Sequence, residues 1–360
     1  MRATKLEIDI NKYLNNIKKI KKYTNKEIMP VIKGNAYGTY INKRIDIINK
    51  FNIVAVALVD EGINLREDGY KNEIFILNQP SIDELDLIEK YNLTIGLSSK
   101  EFLEKSLDRN IKVHLEIETG MNRTGIKLEE LDYFINRINN SKIKIEGIYS
   151  HLSSADFDED YTNNQIKQFE KAYNIVKSHN IEPKYIHISA SNGILNYKID
   201  FTNITRPGLI MYGYEPYPDA YETLDVEPIA TYKTAITYIK NSNKGDKIGY
   251  SQKYTCEKDM IIATIPIGYA DGYRRSLSNK GYVLVNNTRC RILGNVCMDS
   301  CMIDVTEANA KVGDEVILFD NINIKLDEIA DICDTINYEI LSTINERVPR
   351  VFTGGENETN

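Results

Sequence analysis

The sequence lacks an apolar run long enough to cross a membrane, and it lacks an excess of basic residues. No segment approaches the roughly 20 apolar residues of a membrane helix, and the opening residues MRATKLEIDI contain no signal-peptide stretch. The 45 Lys and Arg residues are outnumbered by 52 Asp and Glu residues. Nucleic acids and anionic membranes both require a basic face. We therefore expect a cytoplasmic protein without a nucleic-acid or membrane partner.

The chain also lacks the cysteine and histidine pattern of a disulfide scaffold or a zinc site. Its 5 cysteines all lie in the last third of the chain, and an odd number without a secretion signal predicts reduced thiols. Its 4 histidines all lie in the first two thirds, so no Cys/His cluster has zinc-ligand spacing. We predict neither a disulfide nor a metal.

What is present is an alternation of short apolar runs with longer amphipathic runs, such as 81–91 and 164–178, over the first two hundred residues. The short runs predict strands and the amphipathic runs predict helices. Eight such units over about 210 residues suit a (β/α)8 barrel, while a doubly wound open sheet is the alternative. The predicted strands lie near residues 29–32, 54–59, 74–77, 93–97, 113–117, 145–149, 185–188, and either at 204 or at 209–211.

Polar residues at the ends of these runs favour the barrel. A barrel brings the carboxyl ends of its strands to one face, where barrel enzymes keep their active sites. The residues in question, each at or just beyond the end of a different apolar run, are Lys33, Arg123, His151, Ser191 and Arg206.

Lys33 is central to this pattern because a Gly-Asn-Ala-Tyr-Gly turn follows it directly. A lysine with a lowered pKa can form a Schiff base, and pyridoxal phosphate is the usual carbonyl partner. Taken alone, a lysine at a strand end is more often a solvated charge. The companion residues therefore decide between the two interpretations.

The sequence pattern changes after the proline-containing segment 215–228. From residue 230 onward, short β-branched runs broken by turn signals predict an all-β domain with one helix near 326–332. We therefore predict an α/β protein with a (β/α)8 TIM-like barrel at 1–225, a mainly β domain at 226–352 and a polar tail at 353–360.

Eight strings in the chain together resemble the alanine racemase family. They are VIKGNAYG, HLEIETGMNRTG, IEGIYSHLSSAD, RPGLIMYG, IGYS, IPIGYADGYRR, GNVCMDSCMIDV and RVPRVF. The resemblance covers the whole chain in the order of the family. It implies a homodimeric enzyme that interconverts L-alanine and D-alanine with pyridoxal phosphate and supplies D-alanine for peptidoglycan.

The resemblance also implies a role for each matching residue of the barrel. Lys33 would hold the cofactor as an internal aldimine and then act as one of two catalytic bases. Arg123 would contact the cofactor's phenolic oxygen and the substrate carboxylate, and Arg206 would face the pyridine nitrogen. His151 would pack beside the ring, with His187 behind it. The phosphate would be held by Tyr37, Ser191 and the backbone of Gly208 and Leu209.

The remaining implied residues belong mostly to the second domain. Tyr250 of the partner subunit would be the opposite base. Met298 and Asp299 would lie at the substrate end. The passage to the site would be lined by Tyr269, Asp156 and Arg275. Racemisation removes the Cα proton on one face and returns it on the other, so two bases with lowered pKa values are needed, and nearby arginines would lower both.

Four residues depart from the common family pattern. Glu116 replaces a lysine that many members carry as a carbamate, and we expect its carboxylate to orient Arg123. Ala190 replaces an asparagine and Asn295 replaces a frequent arginine. Glu346 replaces a phosphate-contacting tyrosine, so we expect it to turn away or to pair with Arg347 or Arg350.

Alternatives to an alanine racemase remain open at this point. A serine or broad-specificity racemase of the same family is suggested by Glu346 and Ala190. A pyridoxal-phosphate decarboxylase of the same barrel class is disfavoured by the IGYS and GYADG strings. A non-catalytic cofactor-binding protein is disfavoured by the second domain that bears Tyr250.

Overall fold

The computed structural model describes residues 3–215 and 224–355, and they form two compact units. The barrel unit comprises residues 15–36, 40–215 and 224–226. The sheet unit comprises residues 3–14, 37–39 and 227–355. The predicted segment 1–225 therefore does not correspond to one compact unit, because its first residues and the three residues 37–39 group with the C-terminal part.

Strands and short helices alternate in the first half of the chain, and strands dominate the second half. The strands are β1 (Lys5–Asp9), β2 (Glu27–Ile28), β3 (Ile53–Val56), β4 (Glu73–Ile76), β5 (Thr94–Leu97), β6 (Lys112–Glu116), β7 (Lys144–Tyr149), β8 (Tyr185–His187), β9 (Ile204–Thr205), β10 (Ala230–Ala235), β11 (Tyr238–Ser242), β12 (Lys247–Ile248), β13 (Tyr254–Thr255), β14 (Met260–Ile265), β15 (Tyr282–Val285), β16 (Thr288–Leu293), β17 (Cys301–Asp304), β18 (Glu315–Phe319) and β19 (Arg350–Thr353). The helices are α1 (Ile10–Thr24), α2 (Lys33–Tyr37), α3 (Ile45–Ile48), α4 (Val59–Glu67), α5 (Leu85–Lys90), α6 (Lys100–Ser106), α7 (Leu131–Asn139), α8 (Glu159–Ser178), α9 (Ser191–Asn196), α10 (Leu326–Ile332) and α11 (Asn337–Ser342).

Eight parallel strands, β2 to β9, close the barrel unit. Strands β3 to β8 pair in chain order, and β2 pairs with β9. Two backbone hydrogen bonds close the ring: Ile32 N donates to Ala55 O at 2.9 Å, and Asn203 N donates to Ile186 O at 3.1 Å. The predicted (β/α)8 barrel is therefore confirmed over the open sheet.

The helix signals read from the sequence are largely confirmed. Ser81 accepts a hydrogen bond from Asp83 N and opens a 3₁₀ turn that leads into α5, as its capping position predicts. Helix α8 contains the predicted 164–178 segment but begins earlier, because Asp158 caps it. The alternative eighth strand at 209–211 is wrong, since Leu209–Tyr212 is a 3₁₀ turn.

The sheet unit is built on a nine-stranded sheet. Its order is β11-β14-β17-β16-β15-β18-β10-β1-β19. Strand β1 pairs antiparallel with β10 and parallel with β19, so the two ends of the chain share one sheet. The first β-branched run of this half, residues 231–239, is divided between two strands, β10 and β11. Of the predicted polar tail, residues 356–360 lie outside the described residues. Within the described part of the chain, no helix is both long and apolar enough to span a bilayer.

Gly268 provides a close backbone approach in the sheet unit. A Cβ added there would overlap the carbonyl oxygens of Cys297 and Met298, and these backbone atoms cannot rotate away. The same approach lets Tyr269 N donate to Cys297 O at 3.0 Å.

We expect Gly268→Ala to lower the free energy of unfolding by about 3 kcal/mol, because overpacking against fixed backbone is not relieved by rotamer changes. Gly313→Ala is the control: its site is open but has a φ of 94°, and it should cost only about 1 kcal/mol. Urea unfolding measures both. Equal losses in the two variants would contradict the steric account.

Candidate active site

Lys33 follows β2 at the carboxyl-end face of the barrel and begins a left-handed turn. Gly34, Asn35 and Ala36 all have φ between 53° and 60° and ψ between 45° and 54°. For residues other than glycine this conformation costs roughly 1–2 kcal/mol each, so other contacts must impose it. The predicted turn after the lysine is therefore present, but it has a left-handed conformation that the sequence did not predict.

Glu61 supplies such contacts. Its carboxylate accepts hydrogen bonds from Gly34 N at 2.6 Å, Ala57 N at 2.8 Å and Leu58 N at 3.1 Å. The loop after β3 and the turn after Lys33 are thereby joined through one side chain. Sequence analysis missed Glu61, although a glutamate three residues after a helix N-cap is a known start signal.

The electrostatic surroundings of Lys33 favour its neutral amine. Lys33 is exposed, yet the protein atoms around its ammonium lower its pKa by desolvation. The positive charges of Arg123 and Arg206 lower the pKa further, and the Glu61 carboxylate opposes them. A lysine with a lowered pKa holds more of the free amine at working pH, as a Schiff-base lysine requires.

Arg206 is buried just beyond β9, with 2% of its surface exposed. Its Nη2 donates to Ser150 O at 2.8 Å and to Ile188 O at 3.2 Å, and its Nη1 donates to Nδ1 of His187. Among the described residues it forms no salt bridge. A buried cation held by carbonyls and a histidine is thus fixed in place without being neutralised.

His151 lies at the end of β7 beside this guanidinium. Nη2 of Arg206 is 3.4 Å from its Nδ1, and Gln165 Nε2 donates to its backbone oxygen at 3.1 Å. Burial lowers the pKa of His151 to about 3, and the charges of Arg206, Arg123 and Lys33 act in the same direction. His151 is therefore a neutral ring at the barrel mouth, the face where the carboxyl ends of the barrel strands meet.

Two further histidines lie inside the barrel. Nε2 of His187 is 2.9 Å from Nδ1 of His114, and both rings are fully buried. Burial lowers the pKa of His114 to about 3 and that of His187 well below its ordinary value, with Arg206 adding to both shifts. The sequence pointed to His187 but not to His114. His114 lies within an apolar run, and a polar residue inside such a run could have been recognised as one that faces the interior of the barrel.

These histidines predict a loss of stability in mild acid. Below the unfolded-state pKa of about 6.5, the unfolded chain binds protons that the folded chain does not, so stability falls as the pH drops. We expect His114→Phe to reduce the slope of unfolding free energy against pH by about 1.4 kcal/mol per pH unit between pH 6 and 5, the value for one proton. Urea unfolding at several pH values measures the slope.

His179→Gln is the matched control for this prediction. His179 is partly exposed at the end of α8, and its Nε2 lies 2.7 Å from an oxygen of the Asp132 carboxylate, so its ring is not buried away from a counter-ion. The control should not reduce the slope. A His114→Phe slope equal to that of the wild type would contradict neutral burial of His114.

Arg123 lies in a loop after β6 that is closed by local contacts. The Glu118 carboxylate accepts hydrogen bonds from Gly120 N and from Asn122 N, the latter at 2.9 Å. Ile126 N donates to Glu116 O at 2.7 Å and returns the chain to the strand. Arg123 itself is exposed at the tip.

Glu116 does not hold Arg123 as expected. Its Oε1 accepts from the hydroxyl of Thr124 at 2.8 Å, so its hydrogen bond goes to the neighbouring residue. Burial raises the pKa of Glu116, while Thr124, Tyr149 and the charges of Arg123 and Arg206 oppose this shift. The carboxylate acts on Arg123 through its charge and through the loop.

Ser191, Gly208 and Leu209 come together after β8 and β9. Gly208 N donates to Ser191 Oγ at 3.3 Å, and Leu209 begins the 3₁₀ turn that follows. Ala190 precedes α9 and provides no side-chain cap. Asp156, also in the barrel unit, is half-buried in the loop before α8.

The sheet unit carries the remaining predicted residues. Tyr250 is 72% exposed and opens a 3₁₀ turn, and the buried Asn295 donates from Nδ2 to Tyr250 O at 2.9 Å. The side chain of Asn295 thus supports the turn that presents Tyr250. Tyr37 packs against Tyr338 with ring centroids 6.1 Å apart, and burial raises its pKa. The exposed side chains also include Tyr269, Arg275, Met298 and Asp299.

Of the two outcomes expected for Glu346, turning away and pairing with an arginine, the structure does not show the pairing. Arg347 instead bonds to the buried Asp271, at 2.7 Å, and to Asp299. Arg350 donates to backbone oxygens, among them Gly38 O at 2.9 Å. Glu346 is exposed and forms no ion pair within the described residues, because both arginines already have acceptors.

Two family models cover nearly the whole chain. The alanine racemase N-terminal domain matches residues 8–216, and the alanine racemase C-terminal domain matches residues 229–352. The chain belongs to the alanine racemase family. The resemblance stated from eight strings is thereby confirmed.

Relatives and solved structures of this family match this chain along nearly its full length. Alanine racemase 1 of Clostridium acetobutylicum is 37% identical over 96% of this chain and 94% of its own length. The alanine racemase of Halothermothrix orenii is 38% identical over 98% of this chain and 97% of its own length. A structure of the Bacillus anthracis enzyme with bound L-Ala-P is 30% identical with a TM-score of 0.93, covering 100% of this chain and 97% of that one. An alanine racemase structure from Clostridium difficile 630 is 31% identical with a TM-score of 0.91, covering 98% and 96%.

Proposed function

We propose that this chain racemises alanine with pyridoxal phosphate bound at Lys33, supplying D-alanine for peptidoglycan. The observation that supports the proposal is made at the barrel mouth. There the pKa of Lys33 is lowered, and the charges of Arg123 and of the buried Arg206 contribute to this shift. Family membership makes the enzyme a racemase, and the relatives named alanine racemase support alanine as its substrate.

The residues present fit pyridoxal phosphate. Lys33 provides an amine for its aldehyde, and Arg206 provides a fixed donor for its ring nitrogen. Ser191, with the backbone of Gly208 and Leu209, provides hydroxyl and amide groups for the phosphate, and Tyr37 is the further phosphate contact implied by the motif. When bound, the group acidifies the Cα–H of an attached amino acid by delocalising its electron pair.

The chain's own groups then bind the substrate and move the proton. Nζ of Lys33 serves as the base on one face, because its lowered pKa leaves the amine able to accept a proton. Arg123, exposed on its closed loop, binds the substrate carboxylate. Arg206 keeps a permanent positive charge at the ring nitrogen, which disfavours protonation there and so limits side reactions. The neutral ring of His151 fits a packing role beside the cofactor.

Tyr250 is the proposed base on the other face, and the IGYS string supports this role. It acts from the partner subunit of a homodimer, with Met298 and Asp299 at the substrate end and Tyr269, Asp156 and Arg275 along the passage. Its exposure on a turn held by Asn295 suits a residue that works in another subunit's site.

Turnover of L-alanine and L-serine by the purified protein, with added pyridoxal phosphate, tests the substrate. Chiral chromatography of the products gives both rates. Alanine racemised far faster supports the proposal. Turnover of neither amino acid would contradict it.

The shared dimer site predicts complementation between two inactive variants. A mixed dimer of Lys33→Ala and Tyr250→Phe subunits contains one site with both wild-type bases. Random reassembly should therefore restore about a quarter of wild-type activity, as the symmetry of the dimer requires. Refolding each variant alone is the control, and no recovery on mixing would contradict a site shared between subunits.

A serine or broad-specificity racemase is the second candidate. Glu346 replaces a tyrosine of the family pattern and forms no ion pair in the described residues, and Ala190 provides no side-chain cap to α9. Each change removes a side-chain contact that the family pattern would supply, and this is what suggests an altered substrate preference. Serine turnover equal to or faster than that of alanine would favour this candidate.

A further inference from the structure

The pair of histidines behind Arg206 has a feature that the proposed function does not use. His114 and His187 are held by rings on several sides. Phe75 stacks on His114 with centroids 4.2 Å apart, and Tyr149 stacks on His187 with centroids 5.2 Å apart and an interplanar angle of 13°. Packing of this kind restricts rotation of both imidazoles, so the partner of each ring nitrogen is defined.

The hydrogen bonds allow one arrangement of protons. A guanidinium only donates, so Nδ1 of His187, which faces Arg206, carries no proton. The proton of neutral His187 is therefore on Nε2 and is donated to Nδ1 of His114 at 2.9 Å. His114 must then carry its own proton on Nε2. That nitrogen is buried and has no hydrogen-bond partner among the described residues.

We propose that His114 is a positioning residue for Arg206: it accepts the His187 proton and so keeps the opposite nitrogen of His187 open to the guanidinium. The proposal rests on the proposed function in one respect, that Arg206 faces the cofactor ring. Without an acceptor at His114, the buried Nε2–H of His187 would be unpaired, and turning the ring to find a partner would remove the acceptor from Arg206.

The surroundings oppose any other protonation state. The cations acting on the pair are Arg206 and Lys184, and the rings packed against it belong to Phe75, Tyr149 and Tyr185. Two carboxylates reach this network through other residues: Glu116 acts on Tyr149 and Arg206, and Glu73 accepts a hydrogen bond from the hydroxyl of Tyr185 at 2.9 Å. No carboxylate within the described residues bonds to either imidazole, so an imidazolium here would lack a counter-ion.

The direct test is nitrogen NMR of the holoenzyme with labelled histidine. The chain has 4 histidines, so the signals can be assigned with single substitutions. We expect His114 and His187 both to carry the proton on Nε2 and neither to titrate between pH 6 and 9. A proton on Nδ1 of either ring, or titration of either ring in that range, would overturn the proposal whatever the enzyme's activity.

Two variants of His114 test the consequence for Arg206. His114→Phe keeps the stacked shape but offers no acceptor, whereas His114→Asn keeps an oxygen near the position of Nδ1. We expect about a tenfold lower kcat in the Phe variant with KM changed less, and recovery to within about threefold in the Asn variant, tenfold being 1.36 kcal/mol. The Nε2–H signal of His187 should be exposed to exchange only in the Phe variant.

The outcomes separate this inference from the proposed function. Equal kcat for wild type and His114→Phe, or equal losses in the two variants, would overturn the positioning role. His179→Gln, at the end of α8 where the ring contacts Asp132 and not the His114–His187 pair, is the control and should keep wild-type rates. A wild-type enzyme that racemises no amino acid would sink the proposed function, while the NMR result would still decide the proton arrangement.

Discussion

Lys33→Ala is expected to lower racemisation by about 10⁴-fold or more, because it removes both the amine that binds the cofactor and one catalytic base. The variant should also lose the absorbance of lysine-bound pyridoxal phosphate. The surroundings of the residue give the reason: desolvation by the protein, together with the charges of Arg123 and Arg206, lowers the lysine pKa, and Glu61 holds the turn that follows. Steady-state rates and absorption spectra measure both effects.

Lys26→Ala is the matched control for Lys33→Ala. Burial also lowers the pKa of Lys26, but its ammonium donates to Ile199 O and to Thr202 Oγ1 at the start of β2, away from the carboxyl ends of the strands. We expect this variant to lose stability and keep its rate per folded molecule. Comparable loss of turnover in both variants would show that the position of Lys33 has no special role.

Tyr250→Phe is expected to lower racemisation by about 10²- to 10⁴-fold, the usual contribution of a positioned acid or base. The variant keeps Lys33, so one enantiomer should still exchange its α-hydrogen with solvent deuterium. Exchange without inversion is the signature of losing one base of two. Proton NMR of alanine in deuterium oxide follows both processes.

Tyr238→Phe provides the comparison for Tyr250→Phe. Tyr238 is an exposed tyrosine of the same sheet unit, on β11, and none of the predicted motifs contains it. Its substitution should leave racemisation unchanged. Loss of α-hydrogen exchange for both enantiomers in Tyr250→Phe would contradict the two-base assignment, because Lys33 alone should still serve one of them.

The barrel could be predicted because its strands are short apolar runs between amphipathic helices. Seven runs overlap the strands β3 to β9, the last of them at 204 and not at 209–211, while the first run, 29–32, lies directly after β2. Polar residues after the strands lie at one face. The pairing of β1 with β19 could not be predicted, because contacts between the two ends of a chain leave no local pattern. For the same reason the predicted segment 1–225 was not one compact unit.

The candidate site could be predicted from the sequence only where the type of a residue implies a chemical role. Positions after predicted strands singled out Lys33, Arg123, His151, Ser191 and Arg206 as candidates, and the family motifs named the other candidates. The left-handed conformation of the turn was missed because Asn35 and Ala36 adopt backbone angles that local preference disfavours, and Glu61 compensates from the first turn of α4. The pairing of Arg347 with Asp271 and Asp299 was missed because side-chain partners distant in sequence are set by the sheet.

One measurement tests the central claim most directly: borohydride reduction of the purified enzyme with pyridoxal phosphate, followed by peptide mass spectrometry. We expect a single phosphopyridoxyl group on Lys33, in the peptide that contains the VIKGNAYG string. No such group should form after prior exposure of the enzyme to a competing amine. Modification of another lysine, or of none, would contradict the assignment of the barrel mouth as the active site.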